Sequence, residues 1–189
     1  MNAKVLVTGG TVRLGLAIAA HLRDKGYEVY TTSHRQESGA DFIVDFRKEW
    51  TLPKFDAIVN NAALFTGSED DLTAVNYLAP KRTIDEKMAV NIVNILDSRV
   101  ICGPREDYGA YARTKRMLLE ETVKRHEGVR VNGVAPGPVI APVAVKEPAG
   151  PTPLGRPTPE AVAEAVRFLL ESEFTGGCVI PVDGGQHLL

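Results

Sequence analysis

The chain has 189 residues, of which 44% are hydrophobic and 24% charged, as in an ordinary soluble protein. Its 22 basic and 24 acidic residues give a net charge of −2, which offers no reason to expect nucleic acid or a membrane surface as a partner. No apolar run approaches the length of a membrane span and the chain begins directly with a strand pattern, so we expect a cytoplasmic protein with one domain over residues 1–189.

The first half of the chain alternates between short apolar strands and helices. The run "AKVLVTG" predicts a strand, and "RLGLAIAAHLRDKG" predicts a largely buried helix that ends at Gly26. Further strands are predicted in "YEVYTTS", "DFIVDF" and "FDAIVNNA". Only "TTSHRQESGAD" separates the second strand from the third, which is short for the helical crossover of a parallel pair. We therefore expect that helix to be missing or reduced, with one sheet face bare or covered by a partner.

The second half continues the alternation. The run "DDLTAVNYLAPKRTIDEKM" predicts a helix in which Pro80 costs a turn or a kink, and "YGAYARTKRMLLEETVKRHEG" predicts a helix that ends at Gly128. Strands are predicted in "AVNIVNIL", "VRVNGVAPG" and "CVIPVDGG", and a last helix in "PEAVAEAVRFLLESE" with Pro159 in its first turn. The fold class is therefore α/β, a three-layer, Rossmann-type, doubly wound parallel sheet of about seven strands.

Two cysteines, Cys102 and Cys178, show no metal-ligand spacing. We expect two reduced, buried thiols and no metal site.

A glycine-rich turn, "TGGTVRLG", follows the first strand and begins the first helix. In that context glycines let the backbone approach a pyrophosphate, whose charge the helix N-terminus favours. Gly9, Gly10 and Gly15 would supply the tight turn and the close contact between helix and strand. The pattern predicts a dinucleotide site.

The end of the second strand indicates which dinucleotide. A site for NAD would carry an acidic residue there for the ribose hydroxyls, whereas this chain has "TTSHRQ". Ser33, His34 and Arg35 offer donors and positive charge, which suit a ribose 2′-phosphate. We expect NADPH or NADP rather than NAD.

Five motifs in register identify a family. With "TGGTVRLG", the segments "NNAALF", "VNYLAP", "YARTK" and "VNGVAPG" resemble the short-chain dehydrogenase/reductase family over nearly the whole chain. The resemblance implies hydride transfer from a nicotinamide cofactor to a small-molecule substrate. Arg13 stands where most members have glycine or alanine, and in this respect the shortened chain resembles pteridine reductases and dihydromonapterin reductases. There, Arg13 and Phe65 would hold a pterin-like ring, and Asp97 would replace the family's catalytic serine.

Tyr111 and Lys115 lie one turn apart on a predicted helix. Tyrosine ionises near pH 10, and a cation within about 4–6 Å lowers that value, so Lys115 would prepare Tyr111 to donate a proton. The resemblance adds that Lys115 binds the nicotinamide ribose and that Tyr111 also contacts the substrate. Tyr108 is interpreted as packing or as a substrate wall.

The third catalytic residue is left between two positions. Counting three from Asn94 at the strand end gives Asp97, whereas counting 13 back from Tyr111 gives Ser98, as in usual family members. We favour Asp97, because the strand fixes its position while the loop absorbs length. A carboxylate would protonate or hydrogen-bond a ring nitrogen, whereas a serine would polarise a carbonyl.

Other residues match family motifs by position. Asn76 resembles the helix asparagine that kinks the helix and holds a water in the proton relay, and Asp45 resembles the residue that meets the adenine. The remaining cofactor-binding positions implied by the resemblance are Gly9, Thr11, Arg13, Leu14, Gly15, Asn60, Asn61, Ala62, Lys115, Pro136 and Gly137.

The expected activity is NADPH-dependent reduction of a pterin-like C=N bond. The alternatives are a broad carbonyl/alcohol oxidoreductase of the same family, which would use the same Tyr111 and Lys115, and a non-catalytic NADP-binding protein. The last helix and strand remain available for a subunit contact, so we expect a homo-oligomer, either a dimer or a tetramer.

Overall fold

The computed structural model describes residues 2–101, 109–140 and 152–189. Seven parallel strands form one sheet in the order β3-β2-β1-β4-β5-β6-β7. In chain order the strands are β1 Lys4–Val7, β2 Glu28–Ser33, β3 Phe42–Ile43, β4 Ala57–Asn60, β5 Asn91–Ile95, β6 Arg130–Pro136 and β7 Val179–Val182. Because all strands run the same way, their carboxyl ends meet at one edge of the sheet, where ligands of open α/β sheets bind.

Helices cover both faces of the sheet, as the fold class predicted. On one face α1 Arg13–Asp24 packs against α5 Pro159–Glu171, over a core that includes Val5 and Val7. On the other face lie α2 Glu69–Thr73, α3 Ala79–Asp85 and α4 Ala110–Thr122. Leu6 joins the core on this second face, because successive side chains of a strand point to opposite sides. The three-layer doubly wound fold is confirmed.

A widened turn accommodates Pro80. Residues Ala74–Leu78 form a π-helical turn between α2 and α3, so the three segments run as one interrupted helix. Pro80 is buried in the first turn of α3, where its missing N–H and its ring are tolerated. The predicted kink is therefore a π turn.

The crossover between β2 and β3 contains no α-helix, as predicted. Its only helical piece is a 3₁₀ turn, Gln36–Ser38. In this crossover the Asp41 carboxylate accepts hydrogen bonds from the N–H and the hydroxyl of Thr31 on β2. Ile43, beside it on the edge strand, is 40% exposed. This edge of the sheet is therefore only partly covered by other residues of the described structure.

The connection from β3 to β4 also lacks an α-helix, which the sequence reading did not identify. Aromatic side chains fill its place on the other face of the sheet. Phe46 meets Trp50 edge to face at 5.1 Å between ring centroids, and the Arg82 guanidinium of α3 lies 4.3 Å from the centroid of the Trp50 ring. Phe42 and Phe55 extend the same cluster. Side chains thus cover a surface that a helix would otherwise cover.

Several boundaries differ from expectation. The helix α4 ends at Thr122 rather than at Gly128, and the chain turns before β6. The predicted third strand, residues 41–46, pairs over two residues only. Cys178 is half-buried rather than buried. Cys102, Tyr108 and residues 141–151 of the proline-rich segment lie outside the described residues.

Among the described residues, none of the helices has the length and apolar character needed to cross a bilayer.

Candidate active site

A cavity of about 1030 Å³ opens at the carboxyl ends of the strands, between the glycine-rich turn and the start of α4. Most of the predicted site residues line it. They are Gly9, Thr11, Arg13, Leu14, Gly15, Ser33, His34, Arg35, Asp45, Asn61, Ala62, Asp97, Tyr111, Lys115, Pro136 and Gly137. Four predicted residues, Asn60, Phe65, Asn76 and Ser98, are not among the described residues of its wall.

The glycine-rich turn packs tightly against the end of β4. A Cβ on Gly15 would lie 2.2 Å from the Gly9 carbonyl oxygen, so only glycine fits there. Gly9 itself has a φ of 63°, in the left-handed region. The Thr8 hydroxyl accepts hydrogen bonds from the N–H groups of Asn61 and Ala62, at 2.9 and 3.0 Å. The turn is thus fixed to two strands and leaves its backbone facing the cavity.

The far end of the cavity carries polar and cationic groups. Ser33 is buried, and its hydroxyl accepts a hydrogen bond from the Arg35 N–H at 3.1 Å. His34 and Arg35 have exposed side chains on the cavity wall. Asp45 forms a two-pronged ion pair with Arg47, whose hydrogen bonds lower the pKa of Asp45 to about 2. An anion and a planar base could both be held at this end.

Tyr111 and Asp97 meet at the opposite end of the cavity. The Tyr111 hydroxyl donates to the Asp97 carboxylate at 3.2 Å. The Arg99 guanidinium grips the same carboxylate through two N–H groups, at 3.0 and 2.9 Å. Arg99 thus holds in place the carboxylate that faces the phenol.

Charge and burial act on these two groups in opposite directions. Burial raises the pKa of Tyr111, and the Asp97 carboxylate raises it further, although Arg99 partly offsets both. Burial also opposes ionisation of Asp97, but the hydrogen bonds and charge of Arg99 outweigh it and hold the pKa of Asp97 below its ordinary value. The described site contains a neutral phenol beside an ionised carboxylate.

Lys115 is buried and lines the same cavity as Tyr111. Its ammonium donates to the Ile95 carbonyl at 2.7 Å and lies 6.0 Å from the centroid of the Tyr111 ring. Burial lowers the pKa of Lys115 to about 8, with the Asp97 charge acting in the opposite direction. Burial and Asp97 dominate the pKa of Tyr111 in this structure, and its lowering by Lys115 stays a prediction.

Two predicted residues face away from the cavity. Ser98 is buried in the 3₁₀ turn Ser98–Val100, and its hydroxyl donates to the Gln186 side chain at 3.2 Å. The Asn60 amide donates to Thr83 and to Asn94, at 3.0 and 2.9 Å, beneath the site. The Asn60 side chain therefore points into the core, and a contact between residue 60 and the cofactor stays a prediction.

Asn76 links the wall of the cavity to α4. Its side chain accepts from the Leu64 N–H at 2.7 Å and donates to the Leu64 carbonyl and to the Thr114 hydroxyl, at 2.9 and 3.0 Å. Asn76 is fully buried within the π turn. It holds the segment before Phe65 beside the turn of α4 that carries Tyr111.

The two remaining predicted substrate residues are Arg13, on the wall of the cavity, and Phe65, next to Tyr111. Arg13 has a φ of 52°, unusual for a residue with a side chain, and its guanidinium lies 3.5 Å from the Ile140 carbonyl. The Phe65 ring packs on the Tyr111 ring with 4.8 Å between centroids. An exposed cation thus lines the cavity, and an exposed aromatic ring packs against the phenol.

Sequence reasoning missed Arg47 and Arg99. Each lies two residues after a predicted aspartate and forms an ion pair with it. That short spacing was the available signal, but the turn geometry that brings the charges together is visible only in the structure.

Comparison with known proteins places the chain among reductases. No family model matches it. It is 31% identical to carbonyl reductase family member 4 of Xenopus laevis, with 100% of this chain and 99% of the relative covered. It is 27% identical to cyclopentanol dehydrogenase of Comamonas testosteroni, with 96% of this chain and 95% of that relative covered.

Among solved structures the chain resembles FolM alternative dihydrofolate reductase 1 from Brucella suis, crystallised with NADP. The TM-score is 0.82 at 26% identity, with 99% of this chain and 96% of that chain covered. The alignment with the Xenopus relative spans 239 positions against 189 residues here, so the relative carries insertions that this chain lacks. The shared fold, the identity over the full length and the Tyr111–Lys115 pair at the cavity establish that the chain belongs to the short-chain dehydrogenase/reductase family.

Proposed function

We propose that this protein is an NADPH-dependent reductase that acts on a pterin-like C=N bond. The observation that carries the proposal is the hydrogen bond between Tyr111 and Asp97, because it puts a carboxylate where the wider family has a serine. An ionised carboxylate can accept a hydrogen bond from a ring N–H, whereas polarising a ketone needs a neutral donor.

The residues present fit a phosphorylated dinucleotide. The backbone of the glycine-rich turn is free of side chains at Gly9 and Gly15, and it begins α1, whose N-terminus favours a pyrophosphate. Ser33, His34 and Arg35 line the same cavity and would hold the 2′-phosphate. The Brucella neighbour is crystallised with NADP, which supports the same assignment.

The bound cofactor would supply a hydride, and the chain would supply position and a proton. Lys115, close to Ile95 and to the cavity, would bind the nicotinamide ribose. Pro136 and Gly137 form the wall at the end of β6. Tyr111 would donate its hydroxyl proton to the reduced centre, and Asp97 would orient that hydroxyl.

Tyr111 would give up this proton only when its surroundings change. Burial and Asp97 now favour the neutral phenol. A cation near the hydroxyl, such as the Lys115 ammonium of α4, would favour the phenolate. The neutral phenol is the form that a proton donor requires before reaction.

Three groups support a flat heteroaromatic substrate. Arg13 lines the cavity and Phe65 packs on Tyr111, and these two side chains would hold a ring by charge and by stacking. Asp97 would face a ring nitrogen. The reduction of a simple ketone would not require any of these three groups.

Substrate class can be tested by following NADPH oxidation with dihydrobiopterin, dihydromonapterin, dihydrofolate and a panel of ketones. We expect turnover of at least one dihydropterin at a kcat/KM well above that of any ketone. The Asp97→Ser variant should keep only a reduced, still measurable dihydropterin activity, while its NADPH affinity stays unchanged. Turnover of ketones alone would overturn the pterin assignment.

A broad carbonyl reductase is the second candidate. The identity of 31% to a carbonyl reductase over the whole chain favours it. In that case Asp97→Ser should raise activity on ketones, because a hydroxyl polarises a carbonyl better than a carboxylate does.

A protein that binds NADP without turnover is distinguished by a Tyr111→Phe variant. We expect this variant to lose about 10²-fold or more in kcat, because the proton donor is gone, and to bind NADPH normally. Tyr27→Phe is the matched control, because it removes a phenol hydroxyl that bonds to Glu171 on the surface, outside the wall of the cavity. Equal turnover by Tyr111→Phe and the wild type would show that Tyr111 is not the donor.

A further inference from the structure

We propose that Arg99 is a positioning residue that keeps the Asp97 carboxylate ionised and aimed at the Tyr111 hydroxyl. The proposal rests on the proposed reductase function, in which Tyr111 is the proton donor. Neither the relatives' names nor the family motifs assign a role to Arg99.

The first observation is the geometry of the turn after β5. Asp97 precedes the 3₁₀ turn Ser98–Val100, and its Oδ1 accepts from the backbone N–H of Arg99 at 3.0 Å. The Arg99 guanidinium then closes on both carboxylate oxygens through its Nε and Nη2. Three hydrogen bonds from one residue fix the carboxylate in one orientation, as a bidentate pair does.

The second observation is what surrounds the carboxylate. Only 15% of the Asp97 side chain is exposed, whereas 44% of the Arg99 side chain is exposed. A buried carboxylate without a counter-charge would take up a proton, because burial disfavours its charged form. The positive charge of the more exposed Arg99 side chain thus stabilises the ionised form of the largely buried Asp97 carboxylate.

The third observation concerns the other charged groups near Asp97 in the described structure. Tyr111 and Lys115 approach from α4, and the Lys115 ammonium is already bonded to Ile95. Arg116, also on α4, donates to the Val100 carbonyl rather than to the carboxylate. Arg99 is therefore the principal counter-charge among these groups.

The position of Arg99 also explains how a carboxylate is tolerated beside the phenol. A bare negative charge next to Tyr111 would hold the phenol proton too tightly to be released. The Arg99 guanidinium lies 5.6 Å from the Tyr111 ring centroid and 5.8 Å from that of Phe65, so its charge reaches the same site. Asp97 and Arg99 therefore act as one unit in place of a neutral serine.

The test combines three variants, Arg99→Gln, Asp97→Ser and the double variant, with Arg113→Gln as the control. Arg113 lies on α4 and pairs with Glu69 on the surface, with 53% of its side chain exposed. In protein with ¹³C-labelled aspartate, Asp97 is assigned by its absence in Asp97→Ser and titrated by NMR. We expect Arg99→Gln to raise the pKa of Asp97 by about one to three units, and Arg113→Gln to leave it unchanged.

Steady-state kinetics supply the second readout. The acidic limb of the pH profile of kcat/KM should move upward in Arg99→Gln by the same amount as the NMR titration. In Asp97→Ser that limb should vanish, and adding Arg99→Gln should then change little, because a hydroxyl needs no counter-charge. Arg99→Lys keeps the positive charge but loses the two-pronged hydrogen bonding of the guanidinium. It should therefore keep the acidic limb near its wild-type pH but lower kcat.

An Asp97 pKa that is unmoved in a folded Arg99→Gln variant would overturn the proposal. So would additive losses in the double variant. The NMR titration needs no substrate, so it decides the inference even if no dihydropterin is turned over, whereas that result would count against the proposed function alone.

Discussion

At the scale of single residues, the pKa values in the site depend on the balance between burial and neighbouring charges. Lys115 is 2% exposed, and burial lowers its pKa to about 8, from an ordinary value of 10.5. Between those two values the unfolded chain keeps a proton that the folded chain releases. Stability from this group therefore rises as pH increases through that window and is lowest below pH 8.

We expect Lys115→Met to be more stable than the wild type at pH 7, because an apolar side chain removes the buried charge. The advantage should shrink by up to about 3 kcal/mol as the pH rises from 8 to 10.5. Urea unfolding at about pH 7 and at the upper end of that window measures it. Lys124→Met, at a position with 59% side-chain exposure, should show no such narrowing, and a pH-independent advantage of Lys115→Met would contradict the prediction.

The sequence reveals the identity of site residues better than their orientation. Motif positions brought Tyr111, Lys115 and Asp97 to one cavity, because strand ends and helix starts fix the backbone. Side-chain directions depend on register, and this is why Asn60 faces the core instead of the cavity. The pKa of Tyr111 depends on burial, which no spacing rule contains.

At the scale of elements, the glycine-rich turn shows local strain at a functional position. Arg13 begins α1 at a φ of 52°, a conformation that side chains disfavour by about 1 kcal/mol or more. A glycine would relieve that cost but would remove a guanidinium from the wall of the cavity. The strain is thus a cost of placing a cation at the substrate end.

Arg13→Gly and Arg13→Ala separate the two effects. Both should raise KM for the best dihydropterin, because both lose the guanidinium. Arg13→Gly should be more stable than Arg13→Ala by about 1 kcal/mol, because only glycine adopts this φ freely. Urea unfolding gives the stability difference, and equal stabilities of the two variants would argue against strain.

The crossovers show where element prediction succeeded and where it failed. The lost helix between β2 and β3 was predictable, because too few residues remained to form it. The lost helix between β3 and β4 was not identified, because aromatic residues such as Trp50 compensate through long-range packing. Sequence spacing reports length but not which side chains meet.

The aromatic cluster therefore has a measurable energetic role. We expect Trp50→Ala to lower the free energy of unfolding by about 3 kcal/mol or more, because a buried ring and its contact with Arg82 are lost. Phe174→Ala, at a side chain that is 99% exposed, serves as the control and should change little. A loss no larger than the control's would mean that this cluster does not support the sheet.

At the scale of the whole molecule, the described residues build a seven-stranded parallel sheet in a chain of 189 residues. The sheet order, the parallel register and the cavity at the carboxyl edge are all present. Helix pairs on the outer surface are the elements through which subunits can meet. Phe168 on α5 is 52% exposed, which is high for a phenylalanine in a helix.

We propose a homodimer in which α5 and β7 supply the contact. Light scattering after size exclusion should give about twice the chain mass of 20.5 kDa. Phe168→Glu should yield a monomer, and Val90→Glu, at an exposed position just before β5, should not. A wild-type monomer would contradict the proposal, and a Phe168→Glu dimer would direct attention to α4 instead.

The short crossover between β2 and β3, which contains the 3₁₀ turn Gln36–Ser38, bears on how fast a bound nucleotide would exchange. With a single 3₁₀ turn at the edge of the nucleotide cavity, little protein has to move before a dinucleotide departs. We therefore expect rapid exchange of oxidised for reduced nucleotide, so that turnover is paced by the chemical step rather than by product release. A full primary isotope effect with deuterated NADPH would be the signature of that regime.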